Sequence, residues 1–145
     1  MKTATQSKRL LLIEDNEQDE ILTLKAFSKS KTACDIEVRR DGEKAMDYFA
    51  DKKSESTKPF CLDLVLLDLN LPKFSGFEVL KKIRSNHGTM YIPIVVLSTS
   101  SDPADIRLSY ELGANSYIKK PVDYKEFTDL VGLLNDYWLE RNQCL

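Results

Sequence analysis

The chain has 145 residues, of which 30% are charged and 42% apolar, and a net charge of −2. That balance fits one globular domain and excludes a disordered segment. A weakly acidic chain with no basic block argues against nucleic acid as a main partner, and no apolar stretch approaches the roughly 20 residues of a membrane helix.

At this length roughly 68–70% of the unfolded surface can be buried, so no disulfide or structural metal is needed to hold the fold. Residues 1–8 are polar and lack the apolar centre of a secretion signal. Cys34, Cys61 and Cys144 are odd in number and show no CxxC spacing, as expected for reduced thiols of a cytoplasmic protein. With His87 as the only histidine, no zinc constellation can be assembled.

Short apolar runs alternate along the chain with longer amphipathic ones. Strands are predicted at 9–13, 36–40, 62–67, 94–97 and 116–118, and helices at 17–29, 43–52, 76–86, 103–112 and 124–139. Strands alternating with helices imply right-handed βαβ units, hence an α/β fold with a parallel, doubly wound sheet covered on both faces. The second helix is followed by a stretch from Asp51 to Pro59, rich in Lys, Ser and Thr, read as a solvated loop. Ser75-x-x-Glu78 has capping-box spacing. Asp102-Pro103 puts a cap before a proline at the first helical position. Gly113 stands where a helix ends, and Asp123-x-x-Glu126 starts another. In the last helix Phe127, Leu130, Val131, Leu134 and Trp138 form a stripe for the core. Leu133 and Tyr137 lie off its centre, and either close the core edge or offer a partner surface.

The chemistry gathers at strand ends. The run Asp63-Leu64-Val65-Leu66-Leu67-Asp68 puts a carboxylate at the carboxyl end of a buried strand. Leu10-Leu11-Leu12-Ile13 runs straight into Glu14-Asp15-Asn16. Two such strands set three carboxylates along the edge where open α/β sheets bind ligands. At 4 Å and an effective dielectric near 20, a pair of like charges repels by about 4 kcal/mol. The cluster must therefore hold a proton or a divalent cation. Taken alone, Glu14-Asp15-Asn16 could be a helix cap and Asp68 a turn residue. Their joint occurrence after two apolar runs favours a site. Lys120 follows the fifth strand and reaches the same edge if that strand is parallel, while Lys119 faces the other way. Ser98 opens the hydroxyl run Ser98-Thr99-Ser100-Ser101 after strand four.

An acidic pair after strand one, an Asp after strand three, a hydroxyl after strand four and Lys-Pro after strand five together resemble the receiver domain of two-component response regulators. The resemblance spans almost the whole chain, with a receiver core at about residues 8–140. It implies a flavodoxin-like, five-stranded parallel sheet of order 2-1-3-4-5. It also implies that Asp68 accepts a phosphoryl group from a histidine kinase, or exchanges it with a phosphotransfer protein. Glu14 and Asp15 would support Mg2+, with Asp68 and the backbone carbonyl of Asn70 completing the protein ligands. Lys120 matches the phosphate-binding lysine, Ser98 the switch hydroxyl and Tyr117 the switch aromatic. Ser98 stands in place of the commoner threonine, and Thr99 is larger than the alanine or glycine often found next. The protein would catalyse its own phosphorylation and dephosphorylation, with no turnover of an external small molecule.

The sequences Leu67-Asp68-Leu69-Asn70-Leu71-Pro72 and Tyr137-Trp138-Leu139-Glu140, with the hydroxyl run, also look like single-domain regulators paired with bacterial and cyanobacterial phytochromes. Few residues follow the last helix, so a stand-alone receiver that signals by protein contact is expected, with a homodimer through the C-terminal face. Rival readings are an aspartyl-phosphate phosphatase of the haloacid dehalogenase type and a pseudo-receiver that only binds. The phosphatase pattern wants its nucleophile after strand one and a second Asp two residues on, where this chain has Asn70. Intact Asp15, Asp68 and Lys120 oppose the pseudo-receiver. A nucleotide-binding module is weaker still, because no GxxxxGKS loop is present.

Overall fold

Five parallel strands form the centre of the chain, in the order β2-β1-β3-β4-β5. The computed structural model describes residues 7–53 and 61–144. The strands are β1 (Lys8–Ile13), β2 (Cys34–Arg39), β3 (Leu64–Leu67), β4 (Ile94–Ser98) and β5 (Ser116–Lys119). The helices are α1 (Glu17–Ser28), α2 (Gly42–Lys53), α3 (Gly76–Arg84), α4 (Pro103–Glu111) and α5 (Tyr124–Leu134), and α5 passes into a π-helical segment at Asn135–Arg141.

Burial follows directly from strand position. β3 and β4 are central, apolar except for Ser98 at the end of β4, and every residue of both is buried. Their alternate side chains feed two cores. Leu11, Ile13, Val65, Leu67, Ile94 and Val96 meet Ala45 and Phe49 of α2 and Val79, Leu80 and Ile83 of α3. Leu10, Leu12, Leu64, Leu66, Val95 and Leu97 meet Phe27 of α1 and Phe127, Val131 and Leu134 of α5. The sheet thus carries helices on both faces, as the alternation of elements requires.

The predicted caps form. Ser75 and Glu78 make both bonds of a capping box, and Asp102 and Asp123 accept from backbone N–H groups of α4 and α5. Gly113 adopts φ 104° just beyond α4, a left-handed conformation that suits glycine.

Most of the predicted boundaries shift by one or two residues, and three of the departures have a local physical cause. β3 starts at Leu64, not Leu62, because the Asp63 carboxylate takes the Arg9 N–H at 2.9 Å, a donor that a longer strand would have paired. Helix α2 runs on through Lys53, so the predicted loop cannot begin at Asp51; residues 54–60, with Pro59, lie outside the described residues. The last helix is not one regular stripe to residue 139. Its turn widens at Asn135, and Leu139, five residues after Leu134, enters the core fully buried while Trp138 is only partly covered. Burying a leucine side chain is worth about 1.5–3 kcal/mol, which offsets the irregular backbone. Leu133 and Tyr137 are exposed, so neither closes the core edge.

Candidate functional site

Register brings the acids together. Ile13 pairs with Leu67 in the parallel ladder, so the residues that follow, Glu14 and Asp68, emerge side by side at the carboxyl edge. The backbone there is anchored: Asp68 N–H donates to Ile13 O and Glu14 N–H to Arg39 O, both at 3.0 Å. Lys120 comes to the same edge from β5, with its N–H on Ser98 O at 2.8 Å. The β3–α3 loop is pinned from behind by Gly76. A Cβ at that position would sit 2.4 Å from Asp68 O, so only glycine lets α3 approach the Asp68 backbone so closely.

Three carboxylates face one ammonium. Lys120 Nζ lies 2.8 Å from Glu14 Oε1, 2.9 Å from Asp19 Oδ2 and 3.6 Å from Asp68 Oδ2. Glu14, Asp68 and Lys120 are all buried. Burial, and next the Asp68 charge, push the Glu14 carboxyl up from 4.5 to about 8, although Lys120 opposes the shift. For Lys120, burial favours the neutral amine. Its bond to Glu14 and the charges of Asp68 and Glu14 outweigh that, and hold the ammonium above the ordinary lysine range. The remaining excess of negative charge is what a divalent cation offsets.

Ligand oxygens of Glu14, Asp15 and Asp68 all lie within 4.8 Å of one another, with Asp15 exposed and the other two buried. An all-oxygen, anionic donor set open to water on one side fits a hard divalent ion that keeps part of its hydration shell. Asn70 is exposed beside this group, and its N–H reaches Asp68 Oδ1 at 3.3 Å.

Ser98 is fully buried at the end of β4. Its Oγ accepts the Ser100 N–H at 3.1 Å, and the half-buried Tyr117 donates its hydroxyl to Ser100 O at 2.8 Å. Ser98 and Tyr117, the switch hydroxyl and switch aromatic of the resemblance, thus hold opposite sides of one residue. Ser100 Oγ in turn donates to Asp105 on α4 at 2.7 Å. Thr99 is exposed, and so is Lys119.

Residues 10–132 match the model of the response regulator receiver domain. The chain belongs to the response regulator receiver family. Among curated relatives, response regulator Rcp1 of Synechocystis sp. is 37% identical over 133 residues, 92% of this chain and 90% of that protein. A probable methanogenesis regulatory protein, FilR2, of Methanothrix harundinacea is also 37% identical, over 92% of this chain and 85% of its own length. Among solved structures, the phosphorylated cyanobacterial phytochrome response regulator RcpA superposes with a TM-score of 0.87 at 37% identity, covering 96% of this chain and 99% of its own. The Mn2+-bound form of Rcp1 gives 0.85 at 36%, covering 95% and 99%.

The receiver brings together every residue that the sequence singled out for the strand-end cluster: Glu14, Asp15, Asp68 and Lys120. Ser98 and Tyr117 are linked through Ser100. Sequence reasoning missed two participants. Asp19 looks like an ordinary first-turn acid, and only its spacing from the Asn16 cap marked it. Ser100 was one hydroxyl in a run, with nothing to separate it from Ser101. Among the described residues, no helix is long and apolar enough to cross a membrane.

Proposed function

We propose that this receiver accepts a phosphoryl group on Asp68, from a histidine kinase or a phosphotransfer protein, with Mg2+ as its cation. The observation that carries the reading is the convergence of Asp68, the Glu14–Asp15 pair and Lys120 from three strand ends onto one buried edge. An Asp68 Oδ atom attacks phosphorus in line, the O–P bond forms and the P–N bond of the phosphohistidine breaks. The imidazole leaves with the electron pair. Glu14, Asp15, Asp68 and the Asn70 carbonyl would hold the Mg2+, which when bound neutralises charge on the phosphoryl oxygens. Lys120 supplies an N–H to one of those oxygens and offsets the repulsion between nucleophile and donor.

The product adds about −1.5 to −2 charge next to Ser98. In this reading Ser98 turns its hydroxyl toward the phosphoryl group and releases the Ser100 N–H. Tyr117, bonded to the same residue, then changes its place, and α4 feels the change through Asp105.

The chain works in this view as one receiver unit with its core at about residues 8–140, in the cytoplasm, where its three thiols stay reduced. A phytochrome-type kinase is the proposed partner, supported by the likeness to RcpA and to a bacteriophytochrome response regulator at 38% identity. Treatment with acetyl phosphate and Mg2+ is expected to add the mass of one phosphoryl group, as read by intact mass spectrometry. Asp15→Ala is expected to lose both the labelling and the Mg2+ binding seen by calorimetry. Unchanged Mg2+ affinity in that variant removes Asp15 from the site.

A homodimer through the C-terminal face is supported by the exposure of Leu133 and Tyr137 on α5 and its extension and of Leu108 and Tyr110 on α4. Tyr137 packs edge-on against Trp138, with ring centroids 4.8 Å apart, which offers a firm aromatic surface. Sedimentation at about 100 μM is expected to show a dimer that Tyr137→Ala weakens. A Kd of 1 μM corresponds to about −8.2 kcal/mol and would leave most chains paired at that concentration. A strictly monomeric wild type, with and without a phosphoryl analogue, rejects the dimer.

A further inference from the structure

Asp19 is the third residue of α1, and its placement is built. Asn16 caps the helix and accepts the Asp19 N–H at 2.9 Å, while Thr23 donates its hydroxyl to Asp19 O at 2.7 Å. The carboxylate therefore leaves α1 from a fixed backbone, and it meets Lys120, 101 positions away in sequence, at 2.9 Å. The contact is three-quarters shielded on the Asp19 side, and the lysine side chain is only 6% exposed.

A lysine ammonium has three N–H donors and no acceptor. Glu14 at 2.8 Å and Asp19 at 2.9 Å engage two of them. Asp68 Oδ2 at 3.6 Å is beyond hydrogen-bond reach. The nucleophile is thus close enough to feel the positive charge but is not tied by it, and one N–H has no acceptor among the described residues. With Asp19 neutralised, the nearest carboxylate with unused lone pairs is Asp68. The ammonium would close onto it and form the direct bond that the native arrangement prevents. That bond would occupy the attacking oxygen and compete with the cation for the same carboxylate.

We propose that Asp19 is a positioning residue for phosphoryl transfer: it holds Lys120 off the Asp68 nucleophile and keeps one ammonium N–H free for the incoming phosphoryl oxygen. This rests on the reading of Asp68 as the acceptor. The role acts through another side chain, so a merely structural part in the first turn of α1 must be separable from it.

The test compares wild type, Asp19→Asn, Asp19→Glu, Lys120→Ala and Asp19→Asn/Lys120→Ala, each checked for its fold by circular dichroism. Two readouts are taken: Mg2+ affinity by calorimetry, and labelling by acetyl phosphate at saturating Mg2+. Asp19→Asn is expected to lower the maximal labelling rate about tenfold, the size of one misdirected charge-assisted hydrogen bond, without moving the half-saturating acetyl phosphate concentration. It is also expected to weaken Mg2+ several-fold. Asp19→Glu restores the carboxylate and should recover both values to within about threefold. Where Lys120 is already alanine, Asp19→Asn should leave Mg2+ affinity unchanged to within about twofold, since the residue through which it acts is gone. Wild-type labelling in Asp19→Asn overturns the proposal, as does an Asp19→Glu variant no better than Asp19→Asn. An equal Mg2+ effect with and without Lys120 overturns it as well. The Mg2+ cycle involves no phosphoryl transfer. If the wild type labels at another residue, the acceptor reading fails while the cycle still decides whether Asp19 acts through Lys120.

Discussion

Asp68→Asn is expected to abolish phosphoryl labelling. The amide keeps the shape of the side chain and its place after Leu67, but an amide oxygen does not displace a phosphoryl leaving group as a carboxylate does. With acetyl phosphate and Mg2+, the wild type should gain one phosphoryl mass on a peptide containing Asp68, and the variant none. Labelling of Asp68→Asn at the wild-type rate would falsify the assignment. Mapping of the label to another carboxylate in the wild type would do the same. The variant carries a second expected change. The Asp68 charge is the cause, after burial, of the raised proton affinity of Glu14, so Glu14 should release its proton at lower pH once that charge is gone. A carboxyl-selective NMR titration of Glu14 in the metal-free protein reads the shift. The phosphatase alternative makes a contrary forecast for the wild type, namely multiple turnovers of a small phosphate ester.

The metal-free receiver should lose stability as pH rises toward 8, against the usual expectation for an acidic site. The Glu14 carboxyl keeps its proton to about 8 in the folded chain, while an ordinary glutamate titrates near 4.5. Between those values the folded chain binds more protons than the unfolded one. The free energy of unfolding then falls as pH increases, by at most about 1.4 kcal/mol per unit. This contribution is fully present below 4.5 and is lost as pH passes through about 8. Other carboxylates titrate at the low end, so the informative quantity is the difference between wild type and Glu14→Gln. Urea unfolding in EDTA between about pH 5.5 and pH 8 should show that difference moving against the wild type as pH rises. Saturating Mg2+ binds the deprotonated cluster and stabilises it most at high pH, and should flatten the trend. A difference that is constant across this range in EDTA would mean that Glu14 is already ionised throughout.

The strands, their order of appearance and the chemistry at their ends were legible in the chain itself. Runs such as Leu64-Val65-Leu66-Leu67 are too apolar to lie at a surface, and buried parallel strands demand helices on both faces. A charged residue directly after such a run can only emerge at the sheet edge, so Glu14, Asp68 and Lys120 were placed without knowledge of any contact. Helix starts were equally local, because a capping side chain satisfies donors only three residues away, as Ser75 and Glu78 do. What tertiary structure alone decided involves partners distant in sequence or competition for the core. Asp19 meets Lys120, 101 positions away, only once the sheet and α1 are assembled, which no spacing along the chain reveals. Asp63 ends the pairing of β3 early because its carboxylate reaches the Arg9 N–H on the neighbouring strand. At the end of α5, 3.6-residue periodicity picked out Trp138, which packs partly buried against this core, while the fully buried position after Leu134 goes to Leu139 across a widened turn. Periodicity ranks side chains by angle on a regular helix. The shape of the cavity that they must fill belongs to the other elements, and here it was the stronger constraint.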